Sequence, residues 1–423
     1  MANIRKSMID VQALLHQFDD QLSRASSKSS SPVASSAPLQ PRAKSLREQT
    51  AFGSNPGNLR MMVHAPKQAS EPPALVVALH GCGQSAAEYA RGSGWSTLAD
   101  RYGFYVVYPE QQPSNNPNTC FTWFLPGDTA RGQGEASSIH EMVEHAVAKF
   151  GVDRKKVFVT GLSAGGAMTS VMLATYPEVF SAGAIIAGLP YGSAENVQQA
   201  FEAMFTEQSP SERVLGDRVR QASRHSGPWP RVSVWHGTAD MTVKWSNAEL
   251  VVRQWADVHG LADIESARED LLDGHTRRVW NDASGNTLIE AFIIAGMAHG
   301  VPIAASMGAQ RCGAPGPFFL DVGISSTHRI ASMWGLDKGV AFEDTADATD
   351  VTELHGSQAN ATDAATPASI WLHDHGQVIA AAFKAAGLPA PGSADAGQPG
   401  TTGKVSPASI IEAALKAAGL GKK

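Results

Sequence analysis

Along the middle of the chain, short apolar runs alternate with stretches of helical periodicity. Leu59 to His64, Leu75 to His80, Phe104 to Tyr108, Val157 to Thr160, Ala182 to Ile186, Val232 to Trp235 and Leu288 to Ile294 are predominantly apolar and of strand length. A half-covered strand alternates apolar and polar positions, whereas a continuous apolar run suits a strand covered on both faces. Strands of this kind separated by helices predict right-handed βαβ crossovers. The expected fold class is therefore α/β, with a mostly parallel, doubly wound sheet and flanking helices.

The pattern changes at both ends. Met8, Val11, Leu14, Leu15, Phe18 and Leu22 fall at i, i+3, i+4 spacing and predict an N-terminal amphipathic helix within residues 1–22. Residues 23–44 are rich in Ser, Ala and Pro without periodicity, the composition of a flexible linker. The folded domain is expected over residues 45–338. Beyond it, residues 339–423 turn to Ala, Thr, Asp and Gly and carry a small repeat. Pro367-Ala368-Ser369-Ile370 and Lys384-Ala385-Ala386-Gly387-Leu388 are echoed by Pro407-Ala408-Ser409-Ile410 and Lys416-Ala417-Ala418-Gly419-Leu420. Each copy ends in Gly-Leu, which suits a helix stop with glycine in the left-handed position, so two short helices are expected. They would either cap the core or dock on a polymer granule surface or partner.

Composition narrows the function classes. With 43% hydrophobic residues and 9 Trp, the 423-residue chain can bury a sizeable core. A net charge of -6 and the lack of a Lys/Arg cluster argue against a nucleic-acid partner and favour a neutral or weakly polar substrate. No apolar run has the length of a transmembrane span, and the first residues are not followed by the apolar stretch of a secretory signal. The expected location is the cytoplasm. Oligomeric state is not encoded in any pattern found. Three cysteines, Cys82, Cys120 and Cys312, allow at most one bridge and lack metal-site spacing; Cys82 and Cys120 are either paired or two half-buried thiols.

The candidate chemistry centres on Gly161-Leu162-Ser163-Ala164-Gly165-Gly166. A Gly-x-Ser-x-Gly match alone is weak, but here it lies between the strand Val157 to Thr160 and a helix from Ala164 to Ala174. That places Ser163 on a sharp strand-to-helix turn whose strained backbone needs small neighbours, next to a helix N-terminus that favours negative charge. A serine hydroxyl needs a base, and in an α/β-hydrolase the acid and then the histidine follow the nucleophile in the chain. Asp240 ends Trp235-His236-Gly237-Thr238-Ala239-Asp240, and His299 ends Ala295-Gly296-Met297-Ala298-His299, each just after a predicted strand. Taken singly, Asp240 could be a loop cap and His299 a surface histidine; their joint order and placement make Ser163, Asp240 and His299 the candidate triad.

An oxyanion hole is expected from the N–H of Ala164 and one from His80-Gly81-Cys82-Gly83-Gln84, with Cys82 as donor and Gly81 or Gly83 as fallback. His236 and His80, in glycine turns beside strands, have structural or pocket-lining roles; His275 and His328 lie in polar helix- or loop-like contexts. His140-Glu141-Met142-Val143-Glu144-His145 looks like a zinc-protease helix but misses the required spacings by one position; Ile139, Val143, Ala146 and Phe150 mark a buried stripe instead. Neither a metal nor any other cofactor is implied.

Taken with Leu79-His80-Gly81-Cys82-Gly83-Gln84, Cys120-Phe121-Thr122-Trp123-Phe124, Arg131-Gly132-Gln133-Gly134-Glu135 and Gly323-Ile324-Ser325-Ser326-Thr327, the Ser163 and Asp240 motifs resemble esterases of the poly(3-hydroxybutyrate) depolymerase family, close to feruloyl and acetyl-xylan esterases. The likeness runs from about Ser45 to Leu336 and implies that nucleophile, acid and base fall on Ser163, Asp240 and His299. Phe121 and Thr122 stand where the family pattern has Trp and Asn, which bears on substrate contacts rather than catalysis. Trp123, Phe124 and His80 are the candidate substrate contacts, against a core-packing role for the two aromatics. The Ala-Ala-Gly-Leu tail is similar to that of non-secreted members, although many relatives are extracellular. The expected activity is hydrolysis of a polyhydroxyalkanoate or its oligomers. A feruloyl- or acetyl-xylan-type esterase is the alternative, a peptidase is more distant, and the rival of another class is a non-catalytic granule-binding protein.

Overall fold

A computed structural model describes residues 46–261, 267–306, 308 and 311–337. The N-terminal helix expected within 1–22, the linker 23–44 and the helices expected in 339–423 lie outside the described residues.

Ten strands form one sheet: β1 (Arg47–Gln49), β2 (Arg60–His64), β3 (Leu75–Leu79), β4 (Tyr105–Glu110), β5 (Val157–Leu162), β6 (Ala182–Ile186), β7 (Arg231–Gly237), β8 (Arg268–Leu272), β9 (His275–Asn281) and β10 (Thr287–Ile294). Their spatial order is β1-β2-β4-β3-β5-β6-β7-β10-β9-β8. From β4 through β10 every neighbouring pair is parallel, while β1, β2, β8 and β9 pair antiparallel at the two edges. The seven strands expected from apolar runs are all present, with ends shifted by at most two residues. β1, β8 and β9 had no such run to reveal them. Near the sheet edge they are partly solvent-covered, and Arg268-Glu269-Asp270 and Arg277-Arg278 carry charge where a central strand would be apolar. His275, expected in a helix- or loop-like context, therefore begins a strand and meets the Val322 carbonyl through Nε2. His328 lies on a helix, Ser326–Met333.

The two-residue period of a strand sorts its side chains between two cores. Leu75, Val77 and Leu79 of β3 face one, with Val157 and Val159 of β5. Val76, Ala78, Phe158 and Leu162 face the other. The first core is covered by α4 (Gly134–Phe150), α5 (Ala164–Thr175) and α8 (Ser246–Val258); the second by α1 (Ala86–Ser93), α2 (Trp95–Tyr102) and α9 (Ser326–Met333). Three further helices, α3 (Pro126–Thr129), α6 (Val197–Phe205) and α7 (Glu212–Gln221), complete the set among the described residues. Ile139, Val143 and Ala146 of α4 are buried as its pattern predicts, with Phe150 half-buried and stacked on Tyr105. Parallel strands end on the same side of a sheet, so the loops after β3, β5, β7 and β10 converge at one edge.

Candidate active site

β5 runs straight into α5, and Ser163 is the residue between them. Its φ of 58° and ψ of -118° lie in a region that non-glycine residues enter at a cost. The turn is held from both sides: Ser163 N–H donates to the Ile186 carbonyl at 2.9 Å, and Ala167 N–H donates to the Ser163 carbonyl at 2.8 Å. Gly165 is required by close approach. A Cβ there would lie 2.4 Å from the Leu79 carbonyl oxygen and 2.5 Å from that of His80. The start of α5 is thus pressed against the end of β3, and the loop after β3 is brought beside Ser163.

In that loop, Gly81 N–H donates to Gln84 Oε1 at 2.9 Å and Gly83 N–H to the Asn118 carbonyl at 2.8 Å. The N–H of Cys82, between them, has no acceptor among the described residues. Ala164 opens α5, where an N–H has no intrahelical partner. Of the amides in the loop after β3 weighed as oxyanion donors, those of Gly81 and Gly83 are thus already bonded, whereas that of Cys82 is not bonded among the described residues. Cys82 and Cys120 form a disulfide, while Cys312 is free and buried.

His299 and Asp240 are brought together by the β7 and β10 ends. Thr238 N–H donates to the Ile294 carbonyl and Ala239 N–H to that of Met297, both at 3.0 Å, which ties the two loops to each other. His299 Nδ1 lies 2.7 Å from Asp240 Oδ2. With its hydrogen on Nδ1 donated to the carboxylate, the imidazole keeps Nε2 free to take a proton. Asp240 Oδ1 accepts the N–H groups of Thr242 at 2.8 Å and Val243 at 2.9 Å. Burial alone would push the Asp240 carboxyl up; hydrogen bonds from His236 and His299 outweigh it and hold the group well below the usual carboxylate range.

Of those two histidines, His236 was not expected to touch the acid. His236 Nε2 is 2.9 Å from the Val243 carbonyl and 3.1 Å from Asp240 Oδ2, in a fully buried setting. The four-residue spacing in His236-Gly237-Thr238-Ala239-Asp240 carries the only sequence hint, because a tight turn after a strand folds such a pair together.

His80 is also buried, with Nδ1 2.7 Å from the Gly81 carbonyl and Nε2 accepting the Gln111 N–H at 3.1 Å. Burial pushes its pKa down, and both ring nitrogens are occupied, so its side chain shapes the loop and offers no polar atom to a substrate. Trp123 is mostly buried and meets the half-buried Phe124 edge to face at 5.3 Å. Phe318 packs edge-on against the His299 ring at 6.1 Å.

The His140 to His145 run has partners of its own. His140 stacks on Tyr176 at 4.3 Å, Glu141 accepts from Ser54 and the Asn55 N–H, and Glu144 pairs with Arg154. No helix of the described residues is long and apolar enough to cross a membrane.

Residues 60–279 match the family described as Esterase PHB depolymerase. Poly(3-hydroxyalkanoate) depolymerase C of Paucimonas lemoignei is 44% identical over 292 residues, 69% of this chain and 70% of that protein. Feruloyl esterase B of Talaromyces stipitatus is 34% identical over 63% of this chain and 75% of its own length, and an acetylxylan esterase of Coprinopsis cinerea is 36% identical over 61% and 69%. Among solved structures, an acetyl xylan esterase from Aspergillus awamori superposes with a TM-score of 0.59 at 26% identity, covering 69% of this chain and all of the other.

Proposed function

Since the chain belongs to the Esterase PHB depolymerase family of carboxylic ester hydrolases, we propose that Ser163, His299 and Asp240 carry its reaction as nucleophile, general base and orienting acid. His299 Nε2 takes the Ser163 hydroxyl proton as the oxygen attacks the ester carbonyl, and the N–H groups of Ala164 and Cys82 receive the oxyanion. The imidazolium then protonates the leaving alcohol, and water activated by His299 releases the acyl group. Asp240 holds the Nδ1–H tautomer and steadies the imidazolium. The observation that carries this reading is the 2.7 Å contact between His299 and Asp240 beyond the ends of β7 and β10, at the sheet edge where β5 ends in the strained Ser163 turn. Ser163→Ala is expected to lower kcat on a chromogenic short-chain ester by at least about 10³-fold. Retention of a tenth of the parent activity would sink the assignment.

The substrate we infer is a poly(3-hydroxyalkanoate) chain or its hydroxyacyl oligomers. It rests on the 44% identity to a protein named as a depolymerase, against 34% and 36% to the feruloyl and acetylxylan esterases. A feruloyl- or acetylxylan-type activity is the second reading, favoured by the fold likeness to an acetyl xylan esterase. Rates on amorphous poly(3-hydroxybutyrate), a hydroxybutyrate trimer, acetylated xylan and methyl ferulate separate the two. Faster turnover of methyl ferulate or acetylated xylan than of the trimer overturns the first. Trp123 and Phe124 are proposed to line the acyl side.

Two further readings concern setting. The Cys82–Cys120 disulfide supports an oxidising compartment over the cytoplasm expected from sequence. Docking on polymer granules through residues after Lys338 is tested by co-sedimentation of a Ser163→Ala protein with and without them; unchanged binding of the truncated protein rejects it.

A further inference from the structure

Behind the oxyanion loop, a buried carboxyl group takes no part in the chemistry described above. Glu135, in the first turn of α4, is 1% exposed. Its Oε2 accepts the Thr122 N–H at 2.9 Å; its Oε1 accepts Gln111 Nε2 at 2.5 Å and lies 2.7 Å from Thr122 Oγ1. Thr122 Oγ1 is also 2.7 Å from Asp128 Oδ2. A hydroxyl has one hydrogen, and here it stands between two carboxyl groups. Both contacts are hydrogen bonds only when one carboxyl carries a proton and donates it to the threonine oxygen.

We propose that Glu135 is a positioning residue for ester hydrolysis, holding a proton that it shares with Asp128 through the Thr122 hydroxyl and thereby fixing the Cys120 wall of the oxyanion loop. The inference rests on the reading of Cys82 as an oxyanion donor. In the protonated state Glu135 Oε1–H donates to Thr122 Oγ1, whose own hydrogen goes to Asp128 Oδ2. When the proton leaves to water, two carboxylates compete for one hydrogen and one is left facing a bare lone pair.

Location supports the assignment of the proton. Asp128 is half-exposed on the short α3, whereas Glu135 is enclosed. Burial, with the Asp128 charge adding to it, pushes the Glu135 carboxyl up to about 7 against the hydrogen bonds from Thr122 and Gln111. The groups that face it are Thr122, Asp128 and Gln111; no Lys, Arg or His among the described residues pairs with it. The nearest histidine in the network, His80, meets the far side of Gln111.

The path to the site is short. Gln111 Nε2 also donates to the Cys120 carbonyl at 3.1 Å, Cys120 is bonded to Cys82, and Gly83 N–H is held by Asn118. Movement of Thr122 therefore moves the segment that sets the Cys82 amide.

Infrared difference spectra across about pH 6 to 8.5, with kcat and KM for a chromogenic short-chain ester over the same range, test this. The parent is expected to show the C=O band of a protonated carboxyl that disappears with a midpoint near 7. A fall in kcat of about 3- to 10-fold, with KM changed less, should share that midpoint. Glu135→Gln should lack the band. In Asp128→Asn the new amide donates to Thr122 Oγ1, whose hydrogen can then serve an ionised Glu135. The midpoint should drop by about one pH unit or more and the fall in kcat near 7 should vanish. A merely structural role predicts lower activity at every pH with no change of profile. A band that survives in Glu135→Gln, an unmoved midpoint in Asp128→Asn, or a kcat that ignores the titration each overturns the proposal. Should Asp128→Asn not fold, Thr122→Val removes the same bridge, and an unmoved midpoint there has the same meaning. The spectra need no turnover, so loss of the Ser163 assignment and loss of this one are read separately.

Discussion

His236 and His299 share one oxygen of Asp240: Oδ2 lies 3.1 Å from the first and 2.7 Å from the second. The carboxylate is thereby fixed from two sides, with Thr242 and Val243 amides on its other oxygen. Replacing His236 by Leu removes a buried donor to a charged acceptor, worth about 1.5–3 kcal/mol. Only part of that reaches the transition state, so kcat is expected to fall about tenfold with KM nearly unchanged. Steady-state kinetics on a soluble ester decide it; an unchanged kcat would leave His236 a packing role alone.

Asp240→Asn changes the partner rather than the geometry. An amide nitrogen facing Nδ1 favours the tautomer with its hydrogen on Nε2, which cannot accept the serine proton. A loss of about 10⁴ in kcat is expected. A loss below tenfold would show that Asp240 does not orient His299.

At Gly165 the obstacle is backbone, which cannot swing away as a side chain could. Gly165→Ala puts a methyl group against the Leu79 and His80 carbonyl oxygens. Overpacking of this kind costs about 1–3 kcal/mol, and the shift should also misplace Ser163. Thermal melting and kcat are expected to fall together.

Stability should depend on pH through Glu135. Its carboxyl is raised from 4.5 to about 7 by burial, so the folded state binds this proton more tightly than the unfolded chain does. The corresponding stabilisation is fully present below about 4.5 and lost as pH rises to about 7, up to roughly 3 kcal/mol. Asp240, held low, acts in the opposite direction, with stability lost as pH falls below the usual carboxylate range. Denaturant unfolding of the parent and Glu135→Gln at several pH values isolates the first effect: the parent should lose stability relative to the variant between about pH 4.5 and 7.

Reducing the Cys82–Cys120 bridge, or replacing both cysteines by Ala, should cost about 2–4 kcal/mol. Because the bridge joins the Cys82 loop to Cys120, kcat should fall more than KM rises. Equal kcat for the oxidised and reduced protein would argue against Cys82 as an oxyanion donor.

Much of this site was legible along the chain. Strands buried on both faces must be continuously apolar, so β3, β5, β6, β7 and β10 announced themselves, and the turn after β5 needed the small residues that flank Ser163. Parallel topology then places residues just past strand ends at a common edge, which is why order alone proposes Ser163, Asp240 and His299 as the candidate triad. β8 and β9 escaped because partly solvated strands carry charges, and the sheet's antiparallel edges escaped with them. The second histidine on Asp240 and the proton bridge from Glu135 through Thr122 to Asp128 depend on distances of about 3 Å between side chains, and no periodicity encodes those. Sequence determined most of the elements and the chain order of the candidate triad groups, since burial and turn chemistry are local demands on residue type. Tertiary structure alone decided which amides stayed unbonded, which cysteines joined and how many hydrogens stood between two carboxyl groups, because each is set by the meeting of separate segments.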